Sequence, residues 1–575
     1  GPPNALVFRR RLSCRRRFVF GAGASASDRV GRAVVGERGS ADVRRFGGNV
    51  DDASGAEFDI PSIGGLSFSR EAFASAGCWG RRPLLWMGAF KEEAERLALE
   101  EQQEEAFGEG RSGDEDKREE WGPWPTWGEV AELCLDEEAE SRTISHVPGD
   151  DCSWTLELGP FDRDRDDSIR FMFDDRLSSL PMPFKIADGG VDDDGSSQRK
   201  RRRKIKSTVI VNDVDRFHPP LSDWLASTFS FAPRWRLDDA QISLSENGGG
   251  IGPHVDDYDV VLVQAAGTRT WEVGRRFLGR EEEFDRLEEG LDVRILRGWG
   301  EDEEAGGVER FELSPGDALY LPPRVIHKGT ATSDGCITLS VGFRSPSALD
   351  LVSRAAEIMG NDDRALDKAT KRYVDPDLMD GLHTLGGSSS SAATDNEITP
   401  DAKERAKALV LDAVSELLDN TDSWDEFVGR AFTESKRVRM GYPLALDELD
   451  DESRAELGDW GDPSGAVRAV LDKRRGVLRH AEGVAFGHST VEEGPGGGES
   501  LGRWRCRIFA DGEMWEVRSE NCGNVDREEA SAYLAAIANN PMITGECFGG
   551  KAVPSEVKSI LEDLVSRGYL YGYDE

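Results

Sequence analysis

Asn247-Gly248-Gly249-Gly250-Ile251-Gly252-Pro253-His254-Val255-Asp256-Asp257-Tyr258-Asp259-Val260-Val261-Leu262-Val263 is the stretch on which the reading of this 575-residue chain turns. A glycine-rich approach leads to a histidine and an aspartate two residues apart. A nearly continuous apolar run follows, as expected of a strand buried on both faces. On an extended backbone residues i and i+2 share a face, so His254 and Asp256 can reach one metal ion. A second histidine, His327, follows in Leu321-Pro322-Pro323-Arg324-Val325-Ile326-His327. A bare His-x-Asp is a weak signal. Its setting strengthens it: glycines before, a buried strand after, and a Gly316-Asp317 turn before the strand that ends in Pro322-Pro323. The other histidines (146, 218, 383, 480 and 488) lack such settings and read as ordinary core or surface residues.

Two histidines and one carboxylate on one face leave three metal positions open, the donor set of non-haem Fe(II) oxygenases. A bidentate 2-oxo acid can fill two of those positions and dioxygen the third. The far carboxylate of such a cosubstrate needs a cation. Arg269, on the strand that follows the Ala266-Gly267 turn, can grip it with a guanidinium fork.

Outward from this site, residues 208–345 read as β. Gln241–Ser245, Asp259–Gln264, Thr270–Val273, Ala318–Leu321 and Ile337–Phe343 are short strand candidates bounded by Gly, Pro and Asp, a pattern that predicts a sandwich or barrel. After Pro346 the pattern turns helical. Thr399-Pro400 reads as an N-cap and first turn, and Ala406, Leu409, Val410, Ala413, Val414 and Leu417 recur at helical spacing. Further on, Trp504–Phe509 and Glu513–Val517 form a predicted hairpin about Asp511-Gly512. Arg527–Ala538 and Ser555–Arg567 are predicted helices, the second with Val557, Ile560, Leu561, Leu564 and Val565 on one face and Gly568 at its end. A hairpin with two helices fits a small winged-helix domain.

Charged segments at about 104–120, 188–206 and 281–309 read as surface insertions, Gly386–Asn396 as a linker, and Glu493–Glu499 as a hairpin loop. The run Arg199–Lys204 beside Asp192–Asp194 reads as a self-compensating loop rather than a localisation signal. The first fifty residues hold eleven arginines against Asp28, Glu37 and Asp42. That composition suggests an organelle transit peptide, with a basic tail as the alternative. An organelle, plastid or mitochondrion, is the expected compartment in the first case, and cytoplasm or nucleus in the second.

The net charge of −38, from 110 acidic and 72 basic residues, disfavours nucleic acid as a direct partner and favours a basic one. No run of 18 apolar residues crosses a membrane as a helix. The eight cysteines form no Cys-x-x-Cys pair and have irregular spacing, which argues against a zinc ribbon or a disulfide scaffold.

Gly248–Val260, with its Gly-Pro-His-Val-Asp centre, resembles the JmjC-type ribosomal oxygenases. Within them it is most similar to the bacterial arginine hydroxylases of the large-subunit ribosomal protein L-sixteen. Gly267–Gly274, Leu319–Pro323 leading to His327, and Ser340–Pro346 resemble further strands of that family. Trp79–Trp86 resembles its Trp-x-x-(Lys/Arg)-Arg-Pro opening, with the spacing one residue shorter. The resemblance covers about 58–575 apart from the insertions.

It implies an α+β chain with three parts. A double-stranded β-helix (cupin/JmjC jelly-roll) core occupies 58–350, a helical dimerisation region 351–450, and a winged-helix-like domain 451–575, after a basic extension at 1–57. It implies Fe(II) on His254, Asp256 and His327, and 2-oxoglutarate on Arg269 with help from Ser243. It also implies a homodimer and a basic ribosomal protein as substrate. Thr268 and Thr270 flank a single arginine where the family has a run of them, so substrate contacts differ. Three alternatives stay open: a histidyl hydroxylase, a lysine demethylase, and a non-catalytic cupin scaffold in ribosome assembly. Asp257, Tyr258 and Asp259 are read as structural in the strand, with contact to a cationic substrate as the alternative.

Overall fold

A computed structural model describes residues 57–107, 122–147, 154–163, 165–173, 205–288, 294–300, 307–361, 372, 400–419, 421–435, 445–446, 449–472, 474–492, 503–520 and 525–574. The basic extension up to residue 56, most of the first insertion, Arg199–Lys204, the Gly386–Asn396 linker and the Glu493–Glu499 loop lie outside the described residues. The chain divides into two compact units, the first ending at Ser345 and the second beginning at Pro346.

Among the described residues the first unit has twelve strands: β1 Ser62–Gly64, β2 Leu84–Met87, β3 Ser141–His146, β4 Thr155–Leu158, β5 Lys206–Val211, β6 Leu237–Ser245, β7 Asp259–Ala266, β8 Arg269–Phe277, β9 Val308–Leu313, β10 Ala318–Leu321, β11 Val325–Ala331 and β12 Cys336–Phe343. Nine of them form one sheet in the order β1-β2-β10-β7-β12-β6-β5-β3-β4, and β11-β8-β9 form a second. The five strands expected from the sequence are all present, each within a few residues of its expected ends. The structure adds β11, in which His327 is the third residue rather than a loop residue.

Period-two alternation sorts the large sheet into two faces. Ile242 and Leu244 of β6, Val261 and Val263 of β7, and Leu339 and Val341 of β12 join an outer core with helical residues such as Leu221 and Trp224. The opposite face turns toward the small sheet. Val260 and Leu262 of β7 and Leu319 and Leu321 of β10 pack there against Trp271, Val273 and Phe277 of β8 and Leu313 of β9. Strand β7 is buried along its whole length, because both of its faces meet cores. Over β5, β6 and β12 the inward positions are polar instead: Thr208, Ser243, Ser245 and Thr338, all buried. The interior is therefore apolar at one side and hydrogen-bonding at the other.

The Trp79 motif has a packing role. Trp79 stacks on Tyr320, with ring centroids 5.6 Å apart, and the Gly80 N–H donates to the Tyr320 hydroxyl at 2.6 Å. That hydroxyl donates to Asp259 Oδ1 at 2.6 Å. Asp259 is thereby a buried structural residue of β7, as read from its place in the strand.

In the second unit, residues 351–450 and 451–575, expected as separate regions, fall together. Helix Pro400–Asp419 starts at the expected proline, and helix Thr421–Thr433 follows it. The latter packs on the hairpin of Trp504–Ala510 and Glu513–Arg518. Arg507 is buried there, its Nη1 donating to Asp425 Oδ2 and to the Asp422 carbonyl, each at 2.9 Å. Asp511 and Gly512, both with positive φ (48° and 79°), make the predicted tight turn. Helix Ser555–Ser566 buries all five residues of its expected apolar face, and Gly568 adopts φ 75° after its end. A three-stranded sheet of Met542–Ile543, Val477–His480 and Leu570–Tyr573 lies in the same unit.

Candidate metal centre

His254 and Asp256 do not sit on a regular strand. Positive φ at Gly252 (93°) and the missing N–H of Pro253 interrupt the ladder between β6 and β7. Only an isolated bridge joins His254 to His327. In that bridge the His254 N–H donates to the His327 carbonyl at 3.0 Å, and the reverse bond is 2.9 Å. The bridge delivers what the i, i+2 spacing suggested: ligand atoms of His254, Asp256 and His327 all lie within 4.8 Å of one another.

Each imidazole is oriented by its own backbone. His254 Nδ1 lies 2.8 Å from the Gly252 carbonyl, and His327 Nδ1 lies 3.0 Å from the Val325 carbonyl. A carbonyl oxygen only accepts, so each Nδ1 carries the proton and each Nε2 keeps its lone pair. His327 Nε2 is 3.6 Å from Asp256 Oδ2. Burial, and then the neighbouring His254, lower the pKa of His327 to about 4, so it is the neutral ligand form at ordinary pH.

Arg269 opens β8, and its pair partner on β11 is Ala331; His327 pairs with Val273. Paired residues share a face, so Arg269, Trp271 and His327 all look inward. Trp271 lies between the other two: its ring is 5.8 Å from the His327 ring and 5.7 Å from the Arg269 guanidinium carbon. Gly329 makes room for it, since an added Cβ there would stand 2.8 Å from the indole. Arg269 is 1% exposed, and its Nη2 donates to Ser245 Oγ at 2.7 Å. Arg269 Nε and Trp271 Nε1 are buried with no hydrogen-bond acceptor among the described residues. An unpaired guanidinium in a dry site is costly. An anion in this pocket would supply the missing acceptor.

Ser243 does not contact Arg269. Its hydroxyl donates to the Thr338 carbonyl, two residues back along β6 from the serine that does. The resemblance assigns Ser243 a bond to the cosubstrate carboxylate rather than to Arg269; Ser245 is the serine that reaches Arg269 itself, with Thr208 Oγ1 2.9 Å behind it. Both serines point inward by alternation, but only Ser245 stands at the end of β6 where β8 begins. The polar/apolar alternation of Gln241–Ser245 identifies the pair, not which of the two is nearer Arg269.

The third segment, read as a surface insertion, is partly buried in its described residues: Arg280–Arg286 is a helix with Glu283 buried, and Ile295, Leu296 and Trp299 are buried too. Asp257 is where this segment meets the centre. It accepts from Arg280 at 2.9 Å, from Arg294 at 3.0 Å and from Arg324 at 3.0 Å. Burial alone would raise its pKa, but these three guanidinium bonds outweigh it and hold the carboxyl at about 2.

Residues 224–351 match the family model described as the JmjC domain. Residues 224–351 are a JmjC domain. Both ends of the matched segment enclose the triad, Arg269 and Trp271, so the JmjC domain is the part that carries the whole centre. The chain is homologous to the ribosomal protein uL16 3-hydroxylase of Escherichia coli, 24% identical over 450 residues, 77% of this chain and 89% of that protein. A Haemophilus influenzae protein named probable ribosomal oxygenase is 30% identical over 261 residues, 44% of this chain and 57% of that one. The X-ray structure of E. coli YcfD aligns with a TM-score of 0.53 at 21% identity, covering 88% of this chain and 99% of that one. Its complex with cobalt and 2-oxoglutarate aligns at 0.51 and 21%. The two-sheet core is accordingly the JmjC/cupin fold.

Proposed function

We propose that this JmjC-domain protein is an Fe(II)- and 2-oxoglutarate-dependent hydroxylase of a ribosomal protein, with His254, Asp256 and His327 as iron ligands and Arg269 as the anchor of the 2-oxoglutarate carboxylate. The observation that carries the reading is the pairing of a metal-sized donor triad with a buried guanidinium that has no carboxylate partner among the described residues, on the same inward face. The donor set suits iron: two neutral imidazoles and one carboxylate, with coordination positions left for cosubstrates. Bound iron with 2-oxoglutarate would supply the activation of dioxygen. The protein's own part is to orient the ligands through the Gly252 and Val325 carbonyls, hold the cosubstrate with Arg269 and Ser245, and exclude water with Trp271.

The substrate follows from the relatives and from charge. The E. coli relative is named as acting on ribosomal protein uL16, and a chain of net charge −38 suits a basic protein surface. We assign an arginine of the uL16 counterpart as the target. Incubation of that protein with the full chain, iron and 2-oxoglutarate is expected to add about 16 Da, one oxygen atom, to an arginine-containing peptide. Modification of a histidine or loss of a methyl group would shift the assignment to the other JmjC chemistries. No mass change beside an active control enzyme would overturn it.

A homodimer belongs to the same proposal. Leu349 and Val352 on helix Ala348–Asn361, and Val410, Leu411 and Leu418 on helix Pro400–Asp419, are exposed apolar side chains. A second copy is the occupant these faces suit. Light scattering of the full chain should give twice the monomer mass; a monomer at micromolar concentration would refute it. The hairpin, helices and three-stranded sheet after residue 474 support a winged-helix reading, with the acidic balance of the chain against a role in nucleic-acid binding.

A further inference from the structure

The metal ligands are held from behind. Val255, between His254 and Asp256, and Ile326, beside His327, point away from the ligand face and are each 4% exposed. Both enter a small separate core with Leu278, Leu296 and Trp299, all contributed by the segment around the third insertion. The Leu296 N–H also donates to the Pro253 carbonyl at 2.8 Å, one residue ahead of His254.

Arg324 ties this segment to the ligands. Its own N–H donates to the Asp256 carbonyl at 2.8 Å, and its carbonyl accepts from the Leu278 N–H at 2.8 Å. Its Nη1 reaches Asp257 Oδ1 at 3.0 Å and Glu283 Oε2 at 2.6 Å, and its Nε and Nη2 donate to the Leu278 carbonyl at 3.1 and 3.0 Å. Glu283 is only 2% exposed and pairs with Arg294 as well. Arg324 makes these contacts from φ 70°, the left-handed region. A side chain with a Cβ is strained there and glycine is not. The guanidinium contacts are what hold a buried arginine in that conformation.

We infer that Arg324 is a positioning residue of the metal centre. Together with Asp257 and Glu283 it locks the turn at 253–257 against Leu278 and the helix Arg280–Arg286, so that Asp256 faces the two histidines while Asp257 is drawn the other way. This rests on the reading that the triad holds a metal. The charged insertion is thus a buttress of the centre.

The test is Mn(II) titration of the metal-free full chain, followed by the electron paramagnetic resonance of free Mn(II). Arg324→Gly keeps the backbone conformation without strain but takes one buried partner from Glu283, so its melting temperature should fall by several degrees with the unit still folded. Its Mn(II) dissociation constant should rise roughly 10-fold or more, the range for residues that orient ligands. Arg324→Lys, which keeps a charge but not the fork, should fall between. Binding by Arg324→Gly within twofold of the parent, while His327→Ala loses it, would overturn the inference alone. Parent-like binding by His327→Ala would overturn the triad reading and this inference with it. If Arg324→Gly does not fold, Glu283→Gln decides: it leaves residue 324 and its backbone in place, and weakened binding supports the lock while binding within twofold refutes it.

Discussion

Replacing Arg269 with methionine is expected to abolish 2-oxoglutarate binding while leaving the metal-free fold at least as stable. The guanidinium is buried, gives one hydrogen bond to Ser245, and leaves its Nε without an acceptor among the described residues. Removing one partner of a buried, hydrogen-bonded charge pair costs about 2–5 kcal/mol, so the dissociation constant for 2-oxoglutarate should rise roughly 30-fold to several-thousand-fold. Methionine has similar length and no charge to leave unpaired, and replacing a buried charge by an apolar residue of like volume is often neutral or stabilising. Two readouts therefore separate. Calorimetry on Mn(II)-loaded protein should lose the 2-oxoglutarate isotherm. Thermal unfolding of the metal-free protein should show no drop, and the upward shift that a saturating cosubstrate gives the parent should vanish. A retained isotherm would remove Arg269 from the site. A metal-free variant that melts far below the parent would mean that the arginine is a packing residue first.

Replacing His327 with alanine has an effect of comparable size on a different step. His327 is 2% exposed and supplies one of three ligand atoms. Residues that merely orient ligands alter affinity about 10- to 100-fold, so loss of a ligand should exceed roughly 100-fold. The void beside Trp271 adds a stability cost on the order of 1–3 kcal/mol, which a melting curve will show and which is too small to unfold the unit. Asp256→Asn, nearly isosteric, is the companion variant: it removes the charge that a divalent ion requires and creates no void. Both should bind Mn(II) too weakly to titrate at micromolar protein and add no oxygen to the substrate. Parent-like Mn(II) binding by either variant would move the centre elsewhere.

Much of this was legible before any coordinates. The His254, Asp256 and His327 set could be read because its chemistry is carried by residue type and by a two-residue spacing. Arg269 was legible because a carboxylate cosubstrate calls for a fork of donors on a neighbouring strand. The five strands were legible from turn residues and apolar runs. What stayed open has a common cause. Ser243 and Ser245 share a face, and which of them meets Arg269 depends on how the two sheets face each other. The segment at 281–309 reads as a surface insertion because its charges dominate its composition. Some of those charges in fact find partners beside the centre: Glu283 meets Arg324, and Arg294 meets Glu283 and Asp257. Trp271 and Gly329 drew no functional reading, because a tryptophan over a glycine two strand positions from a ligand is a relation between strands.

By itself, the sequence determined the kind of centre, the order of its parts along the chain, the division into a β-rich first unit and a later helical and mixed region, and the acidic balance that suits a basic partner. Those properties reside in residue type, local spacing and summed charge, which a linear chain already possesses. Only the tertiary structure decided that the bridge between His254 and His327 closes the triad, that Ser245 and Trp271 flank Arg269, and that Arg324 ties the turn around Asp256 and Asp257 to Leu278 and Glu283. Each of these depends on which strands pair, in which register, and on which buried charges are matched. The physical reason is that burial makes an unpaired charge costly, so matching is settled only when distant segments have been brought together.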